Sequence, residues 1–217
     1  YHGEGITVTD WGDFGHIQYP LFSYPGFIYA AMCAWNNECS YIYKLKNYLK
    51  FIFKEDLAQI ILDMENYTRL EGDYRSYGSK LFSPIIQTEN ALNEIDKITY
   101  FKEKMKYNYL SISEYKNLEI ESIEKRIKLI DHSPEKDEIV CAHLLLKTLL
   151  HLNGILSGNN CFDELDEVQR DFSRFLEWHK ENWCLRNKKE GFTFSEKRIT
   201  SLLEIIKKIK ERGSKNE

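Results

Sequence analysis

The sequence SPEKDEIVCAHLLLKTLL at residues 133–150 has the features of a long helix, and it decides the fold class. Ser133-Pro134-Glu135 is a typical helix start, because proline at the first helical position removes no intrahelical hydrogen bond. The apolar residues that follow recur at spacings of three and four, as they do on the buried face of a helix. This helix is expected to end near Gly158–Asn160.

The same helical spacing covers most of the chain from Asn36 onward. Between residues 45 and 68 it is interrupted near Lys54–Asp56, which predicts two helices, the second with Asp56 as its N-cap. The further predicted helices span residues 88–109, 111–130, 163–185 and 195–209, with caps at Ser111 and Ser195. About six or seven amphipathic helices with short connections predict a mainly α protein that folds as an antiparallel helical bundle.

Residues 1–35 follow a different pattern. Ile6–Thr9 is short and largely β-branched, which favours a strand, and the glycines in the polar loop that follows permit sharp turns. A buried helix is predicted next, with Ser23 as its N-cap and an almost wholly apolar run at Phe27–Trp35. A strand, a polar loop and a helix make one βα unit.

A single βα unit does not form a domain. A lone strand cannot satisfy its backbone hydrogen bonds, and a (β/α)8 barrel needs roughly 250 residues. We therefore expect residues 1–38 to be the last βα unit of a TIM barrel, and residues 39–217 to be an all-helical C-terminal domain. Tyr1 is not a methionine, which agrees with a chain cut from a longer protein. The alternative is that Ile6–Thr9 is an extended N-terminal arm.

Charge and composition argue against several classes of function. Lys and Arg number 30 against 34 acidic residues, a formal charge of -4, so no nucleic-acid partner is expected. The longest apolar run, Phe27–Trp35, is far shorter than the ~20 residues of a membrane helix, so no membrane partner is expected. The 5 cysteines contain no CxxC pair, which favours reduced thiols and a cytoplasmic location. His143 and His151 lack further ligands at metal-site spacing, so no metal and no other cofactor is expected.

Trp11 and Asp13 are candidates for a sugar-binding pair. They are separated by a single glycine, so a bend there can turn both side chains toward one cavity. An indole packs on the C–H face of a sugar, and a carboxylate accepts hydrogen bonds from two neighbouring hydroxyls. His16 and Gln18 in the same loop could add donors. The alternative is a core tryptophan with a turn aspartate that caps local amides, in which case His16 and Gln18 brace the turn.

Trp183 and Arg186, near the end of the helix predicted over residues 163–185, are candidates for an interface. Arginine close to a helix C-terminus interacts favourably with the helix dipole and also suits a partner surface, whereas Trp183 equally suits packing within the chain. The sequence contains no Ser/His/Asp arrangement, phosphate-binding loop or zinc signature. We therefore predict no complete catalytic site.

Two segments carry a resemblance to a known family. Thr9-Asp10-Trp11-Gly12-Asp13, with Gly15-His16, Gln18 and the helix that begins after Ser23, resembles the end of the catalytic barrel in bacterial β-N-acetylhexosaminidases of glycoside hydrolase family 20. The likeness is to the branch in which a helical C-terminal domain follows the barrel. The segment Trp183-Cys184-Leu185-Arg186-Asn187-Lys188 is similar to a Trp-x-x-Arg-Asn-Lys pattern in that helical domain.

The resemblance implies a C-terminal fragment of an exo-acting enzyme that hydrolyses terminal N-acetylhexosamine by substrate-assisted, retaining catalysis. Trp11 would line the subsite for the non-reducing sugar, and Asp13 would bind outer hydroxyls, although glutamate is more common in the family at that position. The family's catalytic Asp-Glu pair lies on an earlier strand and has no match here, so the fragment alone is expected to be inactive. Its implied partners are N-acetylhexosamine-terminated glycans and the remaining barrel.

A different class of function fits the same helical pattern. A dimerisation or docking module without a catalytic role would use exposed aromatic and arginine side chains, such as Trp183 and Arg186, as a partner surface. In that interpretation the Trp11 segment is an incidental arm. Both interpretations can hold together, since a helical domain can pair the subunits of the parent enzyme as a homodimer.

Overall fold

The computed structural model describes residue 5 and residues 7–9, 19–35, 41–64, 97–105, 120–159 and 162–213. These residues are mainly helical, and they contain no strand. The helices, numbered in chain order, are α1 (Tyr24–Trp35), α2 (Tyr41–Ile52), α3 (Glu55–Asp63), α4 (97–105), α5 (Ile120–Leu129), α6 (Pro134–Gly154), α7 (Leu165–Arg186) and α8 (Phe192–Gly213). Short 3-10 turns occur at Pro20–Phe22, Phe162–Glu164 and Lys189–Gly191.

Helix α6 begins where the sequence predicts. The Ser133 hydroxyl accepts a hydrogen bond from the backbone N–H of Lys136 at 3.2 Å, and Pro134 occupies the first turn. The helix ends at Gly154 in a π-helical turn, Ile155–Asn159. Helix α7 packs against both α6 and α8, and these three helices form the centre of the fold.

The remaining helices join this centre in sequence. Helix α1 packs on α2, α2 on α3, α3 on α5, and α5 on α6. Most buried apolar residues form a single core, whose fully buried members include Leu21, Ile60, Phe101, Phe172 and Phe175. The predicted helical bundle is therefore confirmed for the described part of the chain.

Part of the segment before α1 belongs to the same core. Tyr19 and Leu21 are buried in the main core, and the Tyr19 hydroxyl contacts His179 of α7. The expected domain boundary after residue 38 falls among residues 36–40, which lie outside the described residues, so the division into two domains stays a prediction. A smaller cluster of Leu45, Leu49 and Ala58 holds α2 on α3.

The structure differs from the sequence-based expectations at three points. Residues 7–9 have no regular secondary structure, so the strand predicted at Ile6–Thr9 is not seen there, and the described residues offer no second strand to pair with it. Lys54 occupies the N-cap position of helix α3, two residues before Asp56, and its side chain makes no capping hydrogen bond. Helix α8 begins at Phe192, because the 3-10 turn before it leads directly into the helix, and Ser195 is buried in its first turn. The capping box at Ser111 lies outside the described residues.

The most apolar long helix is α6, whereas the sequence pointed to Phe27–Trp35 as the longest apolar run. With the turn that follows it, Pro134–Gly158 is long and apolar enough to cross a membrane by length and composition, and 56% of its most apolar window is buried inside the protein. Its contacts with α5 and α7 account for that composition, since the central helix of a bundle is apolar on several sides.

Candidate functional site

The four residues predicted to bind sugar, Trp11, Asp13, His16 and Gln18, lie outside the described residues. The sugar pocket therefore stays a prediction. The two predicted interface residues, Trp183 and Arg186, are described, and both contact other residues of the chain.

Arg186 is held between two carboxylates in the first two turns of α6. Its Nη2 donates to Glu135 Oε1 at 3.1 Å, and its Nε lies 2.5 Å from Glu138 Oε1. The Glu138 side chain is only 2% exposed, and its burial raises its pKa to about 7; the Arg186 charge opposes this rise and the Glu135 charge adds to it. Arg186 thus fastens the C-terminal end of α7 to the start of α6.

Trp183 packs across the connection between α7 and α8. Its indole N–H donates to the carbonyl of Lys188 at 3.0 Å, and its ring lies against His179 and Phe192 with centroid separations of 6.1 and 6.3 Å. A Cβ atom at Gly191 would approach the indole to 3.2 Å, so a glycine suits this close packing. The observed contacts of Trp183 are structural, and its role in an interface stays a prediction.

A buried polar group joins the N-terminal segment to the bundle. The Tyr19 hydroxyl and His179 Nδ1 are 2.8 Å apart, and the Cys141 thiol lies 3.9 Å from the carbonyl of Phe175, to which it donates. Burial raises the pKa of the Cys141 thiol to about 12 and the pKa of Tyr19 well above its usual range. A thiol held protonated in this way is a poor nucleophile, so the group is structural in character.

The described residues contain no group of three or more His, Cys, Asp or Glu side chains that could hold a metal ion. Burial lowers the pKa of His143 to about 4, which keeps its imidazole neutral. His151 Nε2 lies 2.7 Å from Glu164 Oε2, an ordinary pairing between neighbouring helices. These histidines therefore need no ligand to explain their positions.

An open groove of about 590 Å³ lies where α1, the α2–α3 junction and the α5–α6 connection meet. Its apolar lining consists of Phe27, Ile28, Ile52, Phe53, Leu57 and Ile130. Tyr24 stacks on Phe53 at one side, with ring centroids 6.0 Å apart. Its polar lining consists of Lys54, Asp131, His132, Ser133, Glu135 and Arg186. Apolar walls with a few polar groups are typical of binding clefts.

We name the exposed apolar and aromatic residues of α1 and of α2, which packs against it, the α1–α2 face; one of them, Ile52, also lines the groove. Helix α1 has no charged residue, yet Met32 is its only buried residue. The exposed members of the α1–α2 face are Gly26, Ala31, Ala34, Trp35, Tyr48, Phe51 and Ile52. Trp35 is 93% exposed and Phe51 is 90% exposed. A helix that is apolar on all sides is normally buried, which is why the sequence predicts a buried α1. That prediction is wrong within the described part of the chain, because only Met32 of α1 is buried.

The segments of the chain that form this face are rich in lysine. Residues 19–35 and 41–54 contain four lysines, Lys44, Lys46, Lys50 and Lys54, and no acidic residue. Lys50 pairs with Glu55, and Lys54 lies 2.8 Å from Asp131, in ion pairs at the surface. Lysines at this spacing are also typical of a solvated helix face, so the sequence alone does not single them out as neighbours of exposed aromatic side chains.

Searches against protein-family models, curated proteins and solved structures found no match to this chain.

Proposed function

We propose that this chain is a helical docking module that binds its partner through the α1–α2 face. The observation that carries the proposal is α1 itself, a helix of 12 residues without a charge that buries only Met32. Covering exposed apolar surface is favourable by about 25 cal/mol per Å². Aromatic side chains such as those of Trp35 and Phe51 are enriched in the cores of protein interfaces.

The face is supported from behind by the fold. Leu45 and Leu49 on α2 are buried against Ala58 of α3. Phe51 points away from this cluster, since positions 45 and 49 lie on one side of the helix and position 51 is about 200° from position 49. A rigid support lowers the entropy that is lost when a partner binds.

Site-specific labelling tests whether the face is covered in the cell. Phe51→Cys is compared with Phe194→Cys, a position on α8 that is 67% exposed. Maleimide labelling is read peptide by peptide by mass spectrometry, in the purified protein and in intact cells. We expect both positions to label equally when purified, and position 51 to label several-fold more slowly in cells. Equal labelling at both positions in cells would refute a docking role for the face.

We propose, as a second candidate, that the chain is the C-terminal part of an exo-acting β-N-acetylhexosaminidase. The supporting observation is the residue pattern from Thr9 to Gln18, with Trp11 as the pocket wall and Asp13 as the hydroxyl acceptor. The uncharged α1 is compatible with this, because the helix after a barrel strand packs on the sheet and is covered by it. The barrel would then be the partner of the face.

Two measurements test this second candidate. The 217-residue chain should not turn over a chromogenic N-acetylglucosaminide, and N-acetylglucosamine should change its tryptophan fluorescence in a way that Trp11→Phe and Asp13→Ala remove. Turnover that Asp13→Ala abolishes would refute the fragment interpretation. A fluorescence signal that is insensitive to the sugar would refute the predicted sugar site.

A further inference from the structure

We propose that the α1–α2 face docks on the surface of an anionic lipid bilayer. The inference rests on the proposed docking function and names its partner.

The exposed side chains of the face are of the kind found at membrane surfaces. Trp35 and Phe51 project almost fully into solvent. Aromatic side chains are enriched where bilayer hydrocarbon meets the headgroups. Lys44, Tyr48 and Phe51 are spaced four and three residues apart on α2, so they form one stripe along the helix. Helices that lie at a membrane surface likewise combine basic residues with exposed aromatic side chains.

The distribution of charge provides the complementarity to an anionic surface. The chain as a whole carries -4, whereas the only acidic residue between Tyr19 and Lys54 is Glu38, against four lysines. Lys50 and Lys54 already pair with carboxylates, so we assign the attraction chiefly to Lys44 and Lys46. A single lysine near an anionic membrane strengthens binding roughly fivefold.

The same composition argues against a second copy of the chain and against another protein as the partner of this face. Two copies of the chain that met through this face would bring their lysines together, and like charges repel. Protein interfaces are enriched in arginine and depleted of lysine, whereas residues 19–54 contain four lysines and no arginine. Lysine can bury its aliphatic stem at a membrane surface while its ammonium group stays among the headgroups. Docking of this kind needs no membrane-spanning helix, so it does not depend on α6, whose buried residues belong to the core.

Vesicle co-sedimentation of the full chain tests the inference. The vesicles are phosphatidylcholine alone, or phosphatidylcholine with about a third phosphatidylserine. We expect binding to the anionic vesicles, at least tenfold weaker binding to phosphatidylcholine alone, and a loss of affinity as salt is raised. Lys44→Glu and Phe51→Ser should each weaken binding on the order of tenfold.

Matched controls lie on α8. Lys197→Glu and Phe194→Ser change exposed residues of the same types away from the face, and they should leave binding unchanged. Absence of binding to anionic vesicles, equal binding to both kinds of vesicle, or equal losses in the control variants would each overturn the lipid assignment. If position 51 is still protected in cells in that event, the docking function stands and its partner is a protein, an acidic surface or a second copy. If that protection is also absent, the docking function fails as well.

Discussion

Helices α6 and α1 are both rich in apolar residues, but they differ in how many of these residues are buried. In α6 the apolar side chains are packed between α5 and α7, and residues such as Ile139, Leu149 and Leu152 are almost completely buried. In α1 only Met32 is buried. Apolar side chains are stabilised by burial away from water. Most of those on α6 are buried by other parts of the chain, whereas on α1, as the structure describes it, only Met32 is buried. The α1–α2 face is therefore the candidate binding surface.

The charged side chains of the two regions also differ in how many are paired within the chain. The buried start of α6 has its acidic side chains matched by Arg186 of α7. The α1–α2 region instead carries an excess of lysine beside exposed aromatic rings. At the start of α6 the charges are matched within the chain, whereas in the α1–α2 region only Lys50 and Lys54 are described in ion pairs and Trp35 and Phe51 stay exposed.

The largest effect is expected from a cavity in the bundle. Phe175 is fully buried on α7, in contact with His179, whose ring stacks on it with centroids 5.2 Å apart. Phe175→Ala should lower the free energy of unfolding by about 3–5 kcal/mol, since the lost contacts leave a cavity that the fold fills only partly. Urea denaturation measures the change. A loss below about 1 kcal/mol would show that the bundle is not tightly packed there.

The next effect is a pH dependence that arises from Glu138. Burial raises the pKa of this carboxyl from 4.5 to about 7 in the folded protein. The folded state therefore binds the proton more tightly than the unfolded state does, so the contribution to stability is complete below pH 4.5 and is lost as the pH rises through about 7. The loss between pH 4.5 and 8 is at most about 3 kcal/mol.

Glu138→Gln isolates this contribution. Relative to the natural protein, the variant should gain unfolding free energy as the pH rises from 5 to 8, because glutamine cannot ionise. The lowered pKa of the buried His143 acts in the opposite direction below pH 6.5, but it is present in both proteins and cancels in the difference. Denaturation at pH 5 and pH 8 gives the result, with Glu181→Gln at an exposed position of α7 as the control. A pH-independent difference would refute a raised pKa at Glu138.

A smaller effect is expected at the start of α6. Ser133→Ala removes the side-chain acceptor of the Lys136 N–H and should cost about 1 kcal/mol. Ser173→Ala is the control, because Ser173 lies inside α7 and its hydroxyl donates to a carbonyl of its own helix, that of Gln169, at 2.9 Å. Denaturation of both variants measures the cap. Equal costs at the two positions would mean that the cap does not set the start of α6.

The regular part of the fold could be predicted from the sequence. The helical spacing gave α6 and α7 close to their observed bounds, and the interruption near Lys54 separated α2 from α3. These features are local, since a periodic apolar stripe and a proline at a helix start depend on neighbours within a few residues. The start of α3 was displaced by two residues and the start of α8 by four, because the preceding turns decide where each helix begins.

The candidate site could not be predicted, because it is made by contacts between distant segments. The exposure of Phe51 depends on which side of α2 meets α3, and the groove draws its lining from four parts of the chain. The pairing of Arg186 with Glu138 joins the end of one helix to the start of another. One signal for it was present: Glu138 lies on the same apolar stripe as Cys141 and Leu145, and an acidic residue at such a position requires a partner.

The smallest change in stability is expected at Phe51, and its comparison with Leu49 tests whether the α1–α2 face is exposed. Leu49 and Phe51 are two residues apart on α2, and Leu49 is fully buried whereas Phe51 is exposed. Leu49→Ala should cost about 2–5 kcal/mol of unfolding free energy, whereas Phe51→Ser should change it by no more than about 0.5 kcal/mol. Denaturation of the purified chain compares them directly. A cost above about 1.5 kcal/mol for Phe51→Ser would mean that another part of the chain covers Phe51 in solution, and the α1–α2 face would then not be open to a partner.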